Sequence, residues 1–186
     1  MTATELGTGR IPWIDLETTG KDPNEDFVLE IAIVITDERL NEIASFHRVI
    51  SNGSWPRITA QMGDYVTAMH RRSGLMEHLM REEGDPIEQV EAEAIAFVQE
   101  HAPGRNAVAG NTIGFDRGFL AVHMPTLNED VLDYHNIDVS SIRELAQKWR
   151  PELAAAAPVK SKDHRALADI RESIAELRHY RATWLK

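Results

Sequence analysis

Residues 14–20 read Ile-Asp-Leu-Glu-Thr-Thr-Gly, "IDLETTG", and the alternation of acidic with apolar residues there decides how the first part of the chain folds. A period of two beside Trp13 predicts a β-strand, and it sets Asp15 and Glu17 on the same face. Working outward, residues 11–17, 28–37 ("VLEIAIVITD") and 43–50 ("IASFHRVI") read as three successive strands. The connections are short enough for antiparallel hairpins. Helical periodicity begins near Asp64 and returns over 85–101, where Ile87, Val90, Ala94, Phe97 and Val98 recur near the helical period. "NAVAG" (106–110) predicts a short strand before a helix at 113–123, and a further strand is expected at 137–139. Ser140 or Ser141 is expected to cap the helix "SIRELAQKW". "AAAAP" (154–158) predicts a mobile loop edge, and the final helix, about 164–184, carries Ile170, Ile174, Leu177 and Trp184 on one stripe. Three strands followed by alternating helices and strands predict an α/β fold, a mixed five-stranded sheet with helices on both sides.

A chain of 186 residues with 42% apolar content fits one domain with a sizeable core, residues 1–186, with residues 1–9 expected to form a flexible N-terminus. There are no cysteines, so neither disulfides nor thiolate metal sites are available and the cytoplasm is the expected compartment. No signal peptide and no apolar run of membrane-spanning length is read, so no membrane partner is expected. The formal charge of -10 argues against a broad duplex-binding surface, since phosphate contacts need a local surplus of Lys and Arg. A short or metal-bridged anionic substrate stays compatible with it.

Two further acids sort with Asp15 and Glu17: Asp116 in "GNTIGFDRGF", just inside a helix, and Asp169 in "DHRALADIRES", early in the last helix. Taken singly, an acid near a helix N-terminus favours the helix dipole, and acids on a strand suit an exposed face. Taken together they repel and are costly to desolvate unless hard cations neutralise them. Oxygen-only ligands suit Mg²⁺ or Mn²⁺.

"DLETTG", "NTIGFD" and "HRALAD" resemble, in order, the three motifs of the DEDDh group of 3′-to-5′ exonucleases: Asp-x-Glu, Asn-x-x-x-Phe-Asp and His-x-Ala-x-x-Asp. "MHRRSGL" (69–75), "AGNTIGFDRGFL" (109–120), "IDVSSIREL" (137–145) and "HRALADIRESIAEL" (164–177) extend the likeness to the oligoribonuclease family in particular. That resemblance implies a ribonuclease-H-like fold, a homodimer, and removal of nucleotides from very short single-stranded RNA as nucleoside 5′-monophosphates. It further implies that Asp15, Glu17 and Asp169 hold one divalent ion, with Asp15 bridging to a second that Asp116 supports through water. His164 becomes the general base, an imidazole whose reference pKa of about 6.5 suits a proton taken from the attacking water.

The same resemblance makes Thr112, Ser140 and Ser141 candidates for capping the substrate's terminal phosphate and places His70 at the substrate site. Ser140 and Ser141 also suit a helix start for capping reasons alone. Arg71 and Arg72 read as a solvated helix face, and Trp149, Tyr180 and Trp184 as core or dimer packing. Two departures stand out. Thr18 and Lys21 replace residues of the family's "EMTGLD", Lys21 taking the place of the apolar residue that wedges against the bases. Tyr134-His135 replaces its "YR", and a neutral His is a weaker phosphate clamp than an always-charged Arg. Three functions stay open: an oligoribonuclease-like RNA exonuclease, a processing or proofreading exonuclease on longer single-stranded DNA or RNA, and a nucleic-acid-binding protein that keeps the fold without catalysis. Loss of a metal ligand would favour the last, and none is lost.

Overall fold

The computed structural model describes residues 9–51, 55–81, 83–161 and 164–185; residues 1–8 of the expected flexible N-terminus lie outside them. The first three strands are β1 (Arg10–Thr18), β2 (Val28–Asp37) and β3 (Glu42–Ser51). They form antiparallel pairs, with Asp15 opposite Ala32 and Glu17 opposite Glu30 across the first. Three short helices follow, α1 (Trp55–Gln61), α2 (Asp64–Arg72) and α3 (Leu75–Met80). β4 (Asp85–Pro86) leads directly into α4 (Ile87–His101). Beyond these come β5 (Val108–Gly110), α5 (Ile113–His123), a π-helical turn at Leu127–Val131, β6 (Asn136–Asp138), α6 (Val139–Trp149), α7 (Pro151–Ala155) and α8 (Ala166–Thr183).

The sheet order is β4-β3-β2-β1-β5-β6, with β5 parallel to β1 and β6 parallel to β5. Helical crossovers explain the change of direction, because parallel neighbours need a long return and antiparallel ones only a hairpin. The expected five strands are all present, and the sixth is the two-residue β4, paired with Ile50 and Ser51. The helix expected from residue 85 therefore begins at Ile87. Pro86 lacks an N–H, which suits a sheet edge.

The core has two sides. Ile14, Leu16, Ile31, Ile33 and Ile35 pack with α4 and α5, while Trp13, Ala32 and Val34 pack with α8. β2 is thus covered on both faces, which accounts for its nearly unbroken apolar run. Odd-numbered residues of β1 face α8, so Asp15 and Glu17 continue the row begun by Trp13 towards the end of the strand where α8 starts. That row carries the acids from the core to the cleft.

Local chemistry explains the rest of the motif after β1. The Thr19 hydroxyl donates to Asp26 Oδ1 (2.9 Å) and that of Thr18 to the Gly20 carbonyl (2.7 Å). A side chain at position 20 would begin 2.3 Å from Asp26 Oδ2, so it would push that carboxylate off its bond from Thr19. α6 is capped by Asp138, which accepts from Ser140 N–H at 2.8 Å, and not by the hydroxyls of Ser140 or Ser141. Asp138, two residues before Ser140, occupies the N-cap position itself, a cap worth about 1 kcal/mol. "AAAAP" is helical as far as Ala155. Tyr180 is fully buried, whereas Trp149 is 63% exposed and meets Trp184 edge-on. Among the described residues, no helix is long and apolar enough to cross a membrane.

Candidate active site

β1, α5 and α8 converge on one cleft of about 500 Å³. Its floor carries Asp15, Glu17, Asp116, Asp169 and His164. One carboxylate oxygen from each of Asp15, Glu17 and Asp169 lies within 4.8 Å of the other two. Asp116 stands beside this trio, its Oδ1 accepting from Leu16 N–H at 2.9 Å, which ties α5 to β1. His164, two residues before α8, and Asp169, in its first turn, both reach the floor.

The acids are strongly perturbed, and the causes are physical. Burial, followed by the charges of Asp116, Glu17, Asp169 and Glu30, raises the Asp15 carboxyl well above its ordinary value. Burial and then the charges of Asp169, Glu30 and Asp116 push Glu17 up to about 8, with Arg165 opposing. Asp116 is pushed up to about 7 by burial, although its bond from Leu16 N–H works the other way. A site that disfavours its own negative charges is one that a cation stabilises.

Two backbone positions are unusual. Thr112 (φ 56°) and His164 (φ 50°) hold left-handed conformations without being glycine, at a cost of roughly 1–2 kcal/mol each. Thr112 is held by Asp138, whose Oδ1 accepts from Thr112 N–H at 3.0 Å while it caps α6. The Thr112 and Ser140 hydroxyls lie 3.1 Å apart, and Ser140 Oγ donates to Asn111 Oδ1 at 3.0 Å. Thr112 lines the cleft, whereas Ser140 stands behind it and Ser141 is exposed on α6, neither of them among its lining residues.

Of the remaining candidates, Thr18 and Lys21 line the cleft. His70 does not: it is completely buried, with Nε2–H aimed at the Thr18 carbonyl (2.9 Å) and Nδ1 3.8 Å from Glu17 Oε2. Burial lowers its pKa, against the bond to Thr18, so His70 supports Thr18 from behind the cleft, while its Nδ1 faces Glu17 without a hydrogen bond. Tyr134 and His135 lie outside the cleft; Tyr134 is 75% exposed, and His135 Nδ1 bonds Asp133 Oδ1 at 2.5 Å.

Sequence reasoning missed the apolar wall made by Tyr65, Val66, Met69 and Phe115. Phe115 lay in plain view inside "IGFD". It also missed Asn111, which bonds Ser173 Oγ at 2.5 Å, and Glu30. Glu30 is the one charge in the run "VLEIAIVIT", a signal that could have found it.

This arrangement can be set beside known proteins. The family model described as Exonuclease matches residues 13–177. An oligoribonuclease of Shewanella loihica is 46% identical over 173 residues, covering 91% of this chain and 92% of its own. The chain belongs to the oligoribonuclease family. The oligoribonuclease of Streptomyces avermitilis is 42% identical, covering 92% of this chain and 85% of its own. Among solved structures, E. coli exonuclease I in complex with a dA16 oligonucleotide superposes with a TM-score of 0.74 at 16% identity, over 96% of this chain and 42% of that longer one. That likeness shows the ribonuclease-H-like fold. With its family shown, the chain is a nuclease, a hydrolase of phosphodiester bonds.

Proposed function

We propose that the chain removes nucleotides from the 3′ end of short single-stranded RNA, releasing nucleoside 5′-monophosphates. The observation that carries this reading is the carboxylate trio on the floor of the same cleft as His164, in a chain of the oligoribonuclease family.

The donor set fits divalent ions. All its ligand atoms are hard oxygens, and burial raises three of the four acids in a way that only added positive charge relieves. Asp15, Glu17 and Asp169 would hold one Mg²⁺ or Mn²⁺, and Asp15 and Asp116 would serve a second. When bound, such ions supply the charge that stabilises the attacking and leaving oxygens of an in-line displacement at phosphorus. His164 takes the proton of the attacking water on its imidazole. Tyr65 and Phe115 offer ring faces to the bases. Thr112, whose N–H is held by Asp138, presents its hydroxyl to a phosphate, and Ser140, bonded to Asn111, stands behind that hydroxyl. The 186 residues act as one exonuclease domain in a homodimer, where Tyr134 and His135 reach the partner's cleft. The absence of cysteine supports a reducing cytoplasm.

A second reading, a general exonuclease on longer single-stranded DNA or RNA, draws on Thr18, Lys21 and His135. Labelled RNA and DNA ladders, with Mg²⁺, with Mn²⁺ and with chelator, separate the two. Short RNA shortened from its 3′ end only with metal supports the first reading. Equal turnover of DNA favours the second, and undiminished hydrolysis in excess chelator overturns both.

A further inference from the structure

Glu30 is wholly buried in β2, yet it carries a charge in a strand otherwise apolar from Val28 to Ile35. Such a group persists only when paired and fully hydrogen-bonded. Its partners come from two directions. His47 Nε2 on β3 donates to Oε1. From the far end of the chain, Arg165 brings Nε to Oε1 at 2.9 Å and to Oε2 at 3.3 Å, and Nη2 to Oε1 at 2.7 Å. Oε2 also accepts from Ala166 N–H at 3.2 Å. α8 has no side-chain cap of its own, so a carboxylate 136 positions away in sequence takes that place.

The location of this clamp matters. Arg165 directly follows His164, whose left-handed backbone needs support from its neighbours. Glu30 is the cross-strand partner of Glu17, so the clamp joins the backbone next to the imidazole to the same rung of the sheet that carries an acid of the site. We propose that Arg165 is a positioning residue: through its fork on Glu30 it fixes the backbone of His164, and hence the imidazole, over the carboxylate floor. The proposal rests on His164 being the general base.

A different role would be simple charge balance, with Arg165 offsetting the acids. The two differ in what Lys does. Lysine keeps the charge but loses the planar two-nitrogen grip, so positioning predicts that Arg165→Lys is impaired like Arg165→Gln, and charge balance predicts that it is not. Arg165 is the position to change because its side chain is 28% exposed, against 1% for Glu30, so its variants are the ones expected to fold.

The experiment is a double-mutant cycle on the full chain with a five-nucleotide RNA, together with amide exchange on the metal-free protein. Arg165→Gln and Arg165→Lys should each lower kcat by roughly 10- to 100-fold, the range for partners that orient a reacting group, with KM unchanged. In a His164→Ala background, Arg165→Gln should cost nothing further, because the group it positions is gone. Amides of residues 164–169 should exchange faster in Arg165→Gln, while those of 173–180 keep their protection. Multiplying losses in the double variant, full activity in Arg165→Lys, or unaltered exchange at 164–169 would overturn the proposal while leaving His164 as base. A near-normal rate for His164→Ala alone would overturn the general-base reading itself, and the proposal with it.

Discussion

The floor of the cleft and the outer segment Tyr134-His135 hold their side chains in opposite ways. The floor is held by partners distant in sequence: Asp116 accepts from Leu16 N–H, and Glu30 accepts from Arg165 and from Ala166 N–H, next to His164. At Tyr134 and His135 the side-chain contacts are local: His135 Nδ1 bonds Asp133 Oδ1, the two rings lie 3.9 Å apart, and both residues are exposed. The floor is therefore set by the fold, whereas the exposed side chains of the outer segment, Tyr134 and His135, are not. The sequence departs from its family's pattern in the outer segment at His135 and at the rim at Thr18 and Lys21, and keeps every acid of the floor. On the proposed reading, chemistry and substrate choice can be disturbed separately.

The largest effect is expected on the floor. Asp15→Ala or Asp169→Ala should abolish hydrolysis, as should chelation, while circular dichroism shows the fold intact. In metal-free protein the same substitutions should raise the melting temperature, because they relieve like-charge repulsion. A variant of normal rate would break the contrast at its stronger end.

Next comes His164→Ala, which should lower kcat by roughly 10²- to 10⁴-fold, the usual contribution of a positioned acid-base group. Binding of Mn²⁺, followed by calorimetry, should be largely kept.

The pH dependence of stability is a third test. Glu17 has a folded-state pKa raised from 4.5 to about 8, so the folded metal-free protein binds a proton more tightly than the unfolded chain does. The sign follows from linkage: stability is fully present below about pH 4.5 and falls as pH rises towards 8. Asp15 and Asp116 act in the same direction. A loss of 2 kcal/mol would appear as a fall of roughly 4–8 °C in Tm, and saturating Mg²⁺ should flatten the profile. A metal-free Tm that rises over that interval would contradict the raised values.

The smallest effects belong to the outer segment and rim. His135→Arg should lower KM for a 5′-phosphorylated dinucleotide by up to roughly tenfold, the worth of a charged hydrogen bond, with kcat unchanged. Lys21→Leu should strengthen dinucleotide binding by a smaller factor. A change in kcat from either would show that the two regions are coupled.

The same contrast explains what was legible in the sequence. β1, β2 and β3 and the helices at 64, 87, 113 and 166 follow local periodicity, so their positions were readable to within a few residues. The acids and His164 were readable because they sit in compact motifs. β4 was not, since two residues carry no period, nor was the π-helical turn, whose bond from Leu132 N–H to the Leu127 carbonyl depends on packing. His70 was placed at the substrate, but a contact with Thr18 across 52 residues hides it. Glu30 and the wall of Tyr65 and Phe115 gain their meaning only from elements that the fold brings together.

One measurement bears most directly on the account as a whole: kcat/KM, with Mg²⁺, on 5′-phosphorylated RNAs of two, five and twenty nucleotides. An intact floor, an outer segment lacking the phosphate-gripping Arg, and a charge of -10 that gives little background attraction for a long polyanion together predict the highest value for the dinucleotide. They also predict a shallow decline to five nucleotides and the lowest value at twenty, with His135→Arg steepening the slope. Equal efficiency on the twenty-nucleotide RNA and the dinucleotide would contradict the short-substrate reading and leave the general exonuclease in its place.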